Sequence, residues 1–119
     1  MSETFKWCME GNRLKTFDKL VFCFNLYGDK HWYLNGKSHR ENGPAVEDAC
    51  GVKYWYLNGK LHREDGPAIE HDDGSAYWYL NGKLHREGGP AIECTNAGKR
   101  WYLNGIGYSE SDYWKELQK

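Results

Sequence analysis

The sequence predicts an all-β fold: an elongated, single-layer meander of repeated β-hairpins, closed by a short C-terminal capping helix. Three observations predict it. Trp32, Trp55, Trp78 and Trp101 stand 23 residues apart, and the text around them recurs almost word for word. Each unit carries turn signals, Asn-Gly after the Trp and, most clearly in Asp73-Gly74, a second before the next Trp. The apolar residues are unusual too. Trp, Tyr and Phe total 19 of 119 residues, while Leu, Val and Ile total 16. So few aliphatics cannot fill a thick core, and something local must order the chain.

The first full unit reads from Trp32 to Glu47. The second, Trp55 to Glu70, differs from it only at Leu61, Asp65 and Ile69. The third, Trp78 to Glu93, differs from the second only at Gly88. The fourth opens with Trp101-Tyr102-Leu103-Asn104-Gly105 and breaks off. Upstream, Trp7-Cys8-Met9-Glu10-Gly11 keeps the W-x-x-x-G frame, and Gly28 lies 23 residues before Gly51. One repeat domain over 1–119 follows: a degenerate N-terminal repeat or cap (1–29), hairpin repeats (30–108) and a helical cap (109–119). Atypical ends suit a stack whose terminal units must close it.

Two-residue turns set an expected register. Across Asn58-Gly59, Leu57 faces Lys60, Tyr56 faces Leu61, Trp55 faces His62 and Tyr54 faces Arg63. Across Asp73-Gly74, Glu70 faces Tyr77, Ile69 faces Trp78 and Ala68 faces Tyr79. One sheet face then carries Trp, Leu, Ile and His, and the other Tyr, Ala, Glu and Arg; a bulge would scramble this. Pro44, Pro67 and Pro90 mark strand starts or bends. In the tail, Ser109-Glu110-Ser111-Asp112 has the form of a helix start with Ser109 as N-cap. Tyr113, Trp114 and Leu117 are then placed to cover the open end of the sheet.

The residues Asn35-Gly36-Lys37-Ser38-His39, Asn58-Gly59-Lys60-Leu61-His62 and Asn81-Gly82-Lys83-Leu84-His85, each a few residues after a Trp, resemble the MORN repeat family. The likeness covers about residues 30–108 and loosely 5–29. It implies stacked hairpins in an elongated sheet, binding to proteins or to phospholipid headgroups, and no catalytic residues. MORN units usually have Gly after the His, whereas here Arg-Glu-x-Gly-Pro-Ala follows. That block resembles the MORN-variant repeats of phages, giant viruses and some bacteria.

Composition narrows the function. Sixteen Lys and Arg against 17 Asp and Glu leave a charge of −1, which argues against a duplex-DNA binder and against broad attachment to anionic membranes. No apolar run is long enough to span a bilayer. No signal peptide is recognisable, and none of the four cysteines forms a C-x-x-C pair. The expected setting is a reducing cytoplasm, that of the host cell for a viral protein, with free thiols; spacing admits a Cys8–Cys23 disulfide. No G-x-S-x-G elbow or phosphate loop is present, and three copies of one Glu/His arrangement do not make a convergent active site, so no enzyme, catalytic residue or cofactor is expected.

The candidate binding residues are the ladders Arg40, Arg63, Arg86; His39, His62, His85; and Tyr33, Tyr56, Tyr79. Arg offers a planar fork for phosphate or carboxylate, His a second donor, and Tyr a ring for stacking. The competing reading is structural, with Arg paired to Glu and His packed on Trp, and repetition itself favours it. Metal binding is not expected, since equivalent histidines two strands apart sit roughly 9–10 Å from each other. The leading expectation is a non-enzymatic protein that captures a small phosphorylated, nucleotide-type ligand, as a viral counter-defence sponge. The alternative is a protein-interaction module or self-assembling scaffold, with a homo-oligomer as its special case.

Overall fold

The computed structural model describes residues 20–119. The Trp7 frame of the N-terminal repeat, and Cys8, lie outside the described residues. The first hairpin joins β1 (Leu20–Phe24) to β2 (Lys30–Leu34), and β3 (Lys37–Ser38) and β4 (Val46–Glu47) follow. The second unit holds β5 (Lys53–Tyr54), β6 (Tyr56–Leu57), β7 (Lys60–Leu61) and β8 (Ile69–Glu70). The third holds β9 (Ala76–Tyr77), β10 (Tyr79–Leu80), β11 (Lys83–Leu84) and β12 (Ile92–Cys94). β13 (Gly98–Leu103), β14 (Ile106–Tyr108) and helix α1 (Glu110–Leu117) end the chain. The main sheet runs antiparallel in the order β1-β2-β4-β5-β8-β9-β12-β13-β14, and β6–β7 and β10–β11 form short ladders of their own. The molecule measures 52 × 29 × 20 Å.

The Asn-Gly turns form as the sequence predicts. Asn35, Asn58, Asn81 and Asn104 take φ of 51–53° and the glycines after them 80–84°, the left-handed pair that a type I′ turn requires. The pairs Leu57–Lys60 and Tyr56–Leu61 follow. The expected pair of Tyr54 with Arg63 does not form. Trp55 interrupts the strand, so Tyr54 pairs instead with Ile69, and the amide of Arg63 donates across to the carbonyl of Tyr79 in the next unit (3.1 Å).

The second turn corrects the expected facing. His71 and Ser75 close a three-residue loop whose last residue, Gly74, has φ 93°. Such a loop is a turn plus a left-handed bulge residue, one residue longer than a two-residue turn. The odd shift moves Ile69 from Trp78 to Tyr77 and Glu70 from Tyr77 to Ala76. A one-residue slip exchanges the faces of a strand. Tyr therefore shares its face with Ile and Val, and Trp shares the other with Lys, Glu, Arg and His. Asp48 and Asp73 brace these loops: each accepts the amide two residues on, and Asp48 also that of Val52 (2.8–3.0 Å). The Ser75 amide holds the Asp73 carboxyl below its ordinary value.

Burial is sparse and small. Among the described residues Ala45, Ala68, Ala91 and Tyr113 are fully buried. Each Ala lies between two strands, as in Ala68, which donates to Tyr77 (2.8 Å) and accepts from Trp55 (2.7 Å). Cys23 is disulfide-bonded, the alternative that spacing admitted beside the expected free thiols, and Cys50 and Cys94 are free. No helix among the described residues is long and apolar enough to cross a membrane.

The helix starts where the sequence places it, with the Asp112 amide donating to Ser109 Oγ (3.1 Å). Its cover over the sheet end comes from Tyr113. The phenol oxygen accepts from the amides of Gly88 (2.9 Å) and Gly89 (3.2 Å) and donates to the Arg86 carbonyl. Trp114, expected to share this role, is 39% exposed. Gly88 is the single departure of the third unit from the second. Its φ of 111° is open to glycine and strained for any other residue. The departure and the tyrosine thus belong together.

Two predictions follow from that pairing. Tyr113→Phe strips the amide of Gly88, the buried amide of Gly89 and the Arg86 carbonyl of their partner and should cost about 2–3 kcal/mol in urea unfolding. Gly88→Asp, which restores the repeat text, should destabilise by about 1–2 kcal/mol through backbone strain, whereas Asp65→Gly should cost less than Gly88→Asp.

Candidate functional site

The three arginines of the candidate ladder sit on Trp rings. The guanidinium carbons of Arg40, Arg63 and Arg86 lie 4.3, 3.8 and 3.8 Å from the ring centres of Trp32, Trp55 and Trp78. Each Nη1 donates to the carbonyl of the proline four residues on, Pro44, Pro67 and Pro90, at 3.0–3.1 Å. Arg63 also bonds Glu70 (2.9 Å) and Asp65 (3.1 Å), and Arg86 pairs with Glu93 (3.4 Å). A cation over an indole stabilises by about 0.5–2 kcal/mol. The glycine before each proline makes room for it. A Cβ on Gly66 would stand 2.7 Å from Arg63 Cζ, and one on Gly89 would stand 2.9 Å from Arg86 Cζ. The Arg-Glu-x-Gly-Pro-Ala block therefore reads as one folded object: guanidinium on indole, glycine beneath it, proline carbonyl as acceptor, and a buried alanine returning the chain to the sheet.

The histidines bind one unit to the next. Nδ1 of His39, His62 and His85 accepts the backbone amide of Asn58, Asn81 and Asn104, each at 2.9 Å. On the other side Nε2 meets Glu41, Glu64 and Glu87 at 3.3–3.4 Å. This geometry fits the neutral ring with its proton on Nε2, since an imidazolium has no acceptor. His39 and His85 are buried. Among the described residues no cluster of three His, Cys, Asp or Glu is placed to hold a metal ion.

The tyrosines occupy the opposite face. Tyr33, Tyr56 and Tyr79 pair with Ser38, Leu61 and Leu84. Tyr54 stacks along the strand with Tyr56 at 6.4 Å between ring centres, and His31 with Tyr33 at 5.8 Å. Burial pushes the phenols of Tyr54 and Tyr79 above their ordinary value. Tyr77 is raised as well, first by its hydrogen bond with Cys94 (3.3 Å). The expected meeting of Tyr with Arg on one surface is thus corrected: the sheet lies between them, because the strand breaks at Trp55 and each of these guanidiniums folds over the indole of its own unit.

The residues placed together instead are those between successive units. A groove of about 1010 Å³ lies between the Arg40–Pro44 loop and the Trp55 hairpin. Trp55 and Leu57 form its apolar part, and His39, Arg40, His62 and Arg63 reach it. Glu41, Glu64 and Asp65 stand there too, so three carboxylates face two guanidiniums. The sequence did not single out the loop amides, Leu57 or Tyr113 as site residues. The one signal was the lone Gly88 in an otherwise verbatim repeat.

The latch role of His62 is open to measurement. His62→Ala leaves the Asn81 amide without its acceptor and should cost about 1–3 kcal/mol in chemical unfolding. Arg63→Lys keeps the charge but loses the planar stack and should cost about 1 kcal/mol. Unchanged stability in both would mean that these side chains do not hold the repeats together.

Comparison with protein-family models, with curated proteins and with solved structures finds no match to the chain.

Proposed function

We propose that the protein is a non-enzymatic interaction module that assembles through its tyrosine face, in the first instance with a second copy of itself. One observation carries this reading: the charge of the sheet is sorted by face. Along one face the pairing brings together His31, Val46, Tyr54, Ile69, Tyr77, Ile92 and Arg100, with the tyrosine pairs beside them. Arg100, on β13, is the one formally charged residue in those pairs. Along the other face Lys30, Glu47, Lys53, Glu70, Ala76, Glu93 and Lys99 set three Lys against three Glu, which neutralise one another.

A charged face in a one-layer sheet is content in water. A tyrosine and aliphatic face half-exposed along a 52 Å molecule is of the kind that packs on a second sheet. The tyrosine pairs of successive units carry that face along the molecule, and a standard interface takes about 800 Å² from each partner. Tyr also anchors interfaces well, since it brings large area at low entropy cost.

Capture of a phosphorylated ligand by the Arg, His and Tyr ladders has less support. The guanidiniums are bonded within their own units, carboxylates outnumber them in the groove, and the tyrosines lie across the sheet. Analytical ultracentrifugation should show a dimer at micromolar concentration. Tyr56→Glu with Tyr79→Glu should shift it to monomer while the far-ultraviolet spectrum is kept. A monomer at hundreds of micromolar would refute the reading. A thermal shift with a mono-, di- or cyclic nucleotide would favour the ligand trap instead.

A further inference from the structure

The last groove of the series is filled by the chain itself. Tyr113 is fully buried there, with its hydroxyl held by the amides of Gly88 and Gly89 and by the Arg86 carbonyl. Two repeats upstream, at a spacing of 46 residues, the same backbone groups belong to Asn42, Gly43 and Arg40. They line the open groove of about 1010 Å³ beside Trp55 and Leu57. Among the described residues the amides of Asn42 and Gly43 have no protein partner. Asn42 is exposed and Gly43 half-buried, so both amides are open to an incoming acceptor, and a groove wall that offers two such donors beside an indole suits an amphipathic group. The helix is addressed to the last groove by Gly88, whose φ of 111° is not shared by Asn42. It therefore leaves the first groove open.

We propose that the first inter-repeat groove receives a tyrosine side chain carried on a short helix of a partner protein, as α1 carries Tyr113 into the last. The phenol ring lies against Trp55 and Leu57, and its oxygen accepts an amide of Asn42 or Gly43. The rim carboxylates Glu41, Glu64 and Asp65 select a lysine or arginine near that tyrosine, as Lys115 follows Tyr113 by two residues. This inference rests on the reading of the protein as an interaction module. It uses the opposite face of the sheet, so the two can fail separately.

The probe is a synthetic peptide of residues 109–119, titrated into the full-length ¹⁵N-labelled protein. Amide shifts should move at Asn42, Gly43 and Leu57. A peptide with Phe in place of Tyr should bind at least tenfold more weakly, and one with Glu in place of Lys more weakly as well. Asn42→Pro, which deletes a donor, should weaken binding, and Asn42→Trp, which fills the groove, should abolish it, with circular dichroism checking the fold of each. No shifts at millimolar peptide would overturn the proposal. Shifts confined to Gly88, Gly89 and α1 would overturn it too, because the peptide would then only replace the chain's own helix. Binding of the Phe peptide as tightly as the Tyr peptide would remove the role assigned to the hydroxyl. Peptide binding by a protein that stays monomeric would sink the tyrosine-face reading and leave this one standing.

Discussion

The guanidinium of each full repeat (Arg40, Arg63, Arg86) lies over an indole ring, and much of the repeat is arranged to keep it there. A single-layer sheet has no interior in which to bury a charge or a large apolar core. Its stability must come from contacts that close within one unit or between neighbours. The Arg–Trp pair meets that need: the ring gains a flat cover, and the cation gains a face it can approach without losing all of its water. Glycine follows because a Cβ would collide with the guanidinium. Proline follows because its carbonyl is the acceptor, and alanine because the returning strand passes where nothing larger fits.

The histidine contact supplies what that pair lacks, which is a bond across units. A turn amide that would otherwise face solvent is accepted by the ring of the preceding unit, and the same ring is steadied by a glutamate. Together the two contacts divide the labour of a repeat protein into intrinsic and nearest-neighbour terms. Neither requires a ligand. The most repetitive polar residues of the chain are thus the ones that make contacts within and between its units.

The fold was largely legible in the sequence, since the 23-residue period, the Asn-Gly turns and the Ser109 cap each rest on local chemistry that a single sequence displays. The facing of the strands was not. It depended on whether one loop held two residues or three, and Asp-Gly text fits both. That one residue moved Ile69 from Trp to Tyr and Glu70 from Tyr to Ala. The break at Trp55 was also hidden, because it arises from competition between two partner strands. The groove was beyond reach for a similar reason: its walls are backbone amides of one unit and side chains of another. Residue identity shows neither.

The match between Gly88 and Tyr113 bears on how such a chain grows. Units of uniform length can be duplicated in the middle of the array without disturbing either neighbour. The third unit cannot be copied so freely, because its loop is shaped for the helix that follows. A repeat inserted upstream of Gly88 would leave its contact with Tyr113 intact, whereas one inserted after it would part the loop from its helix.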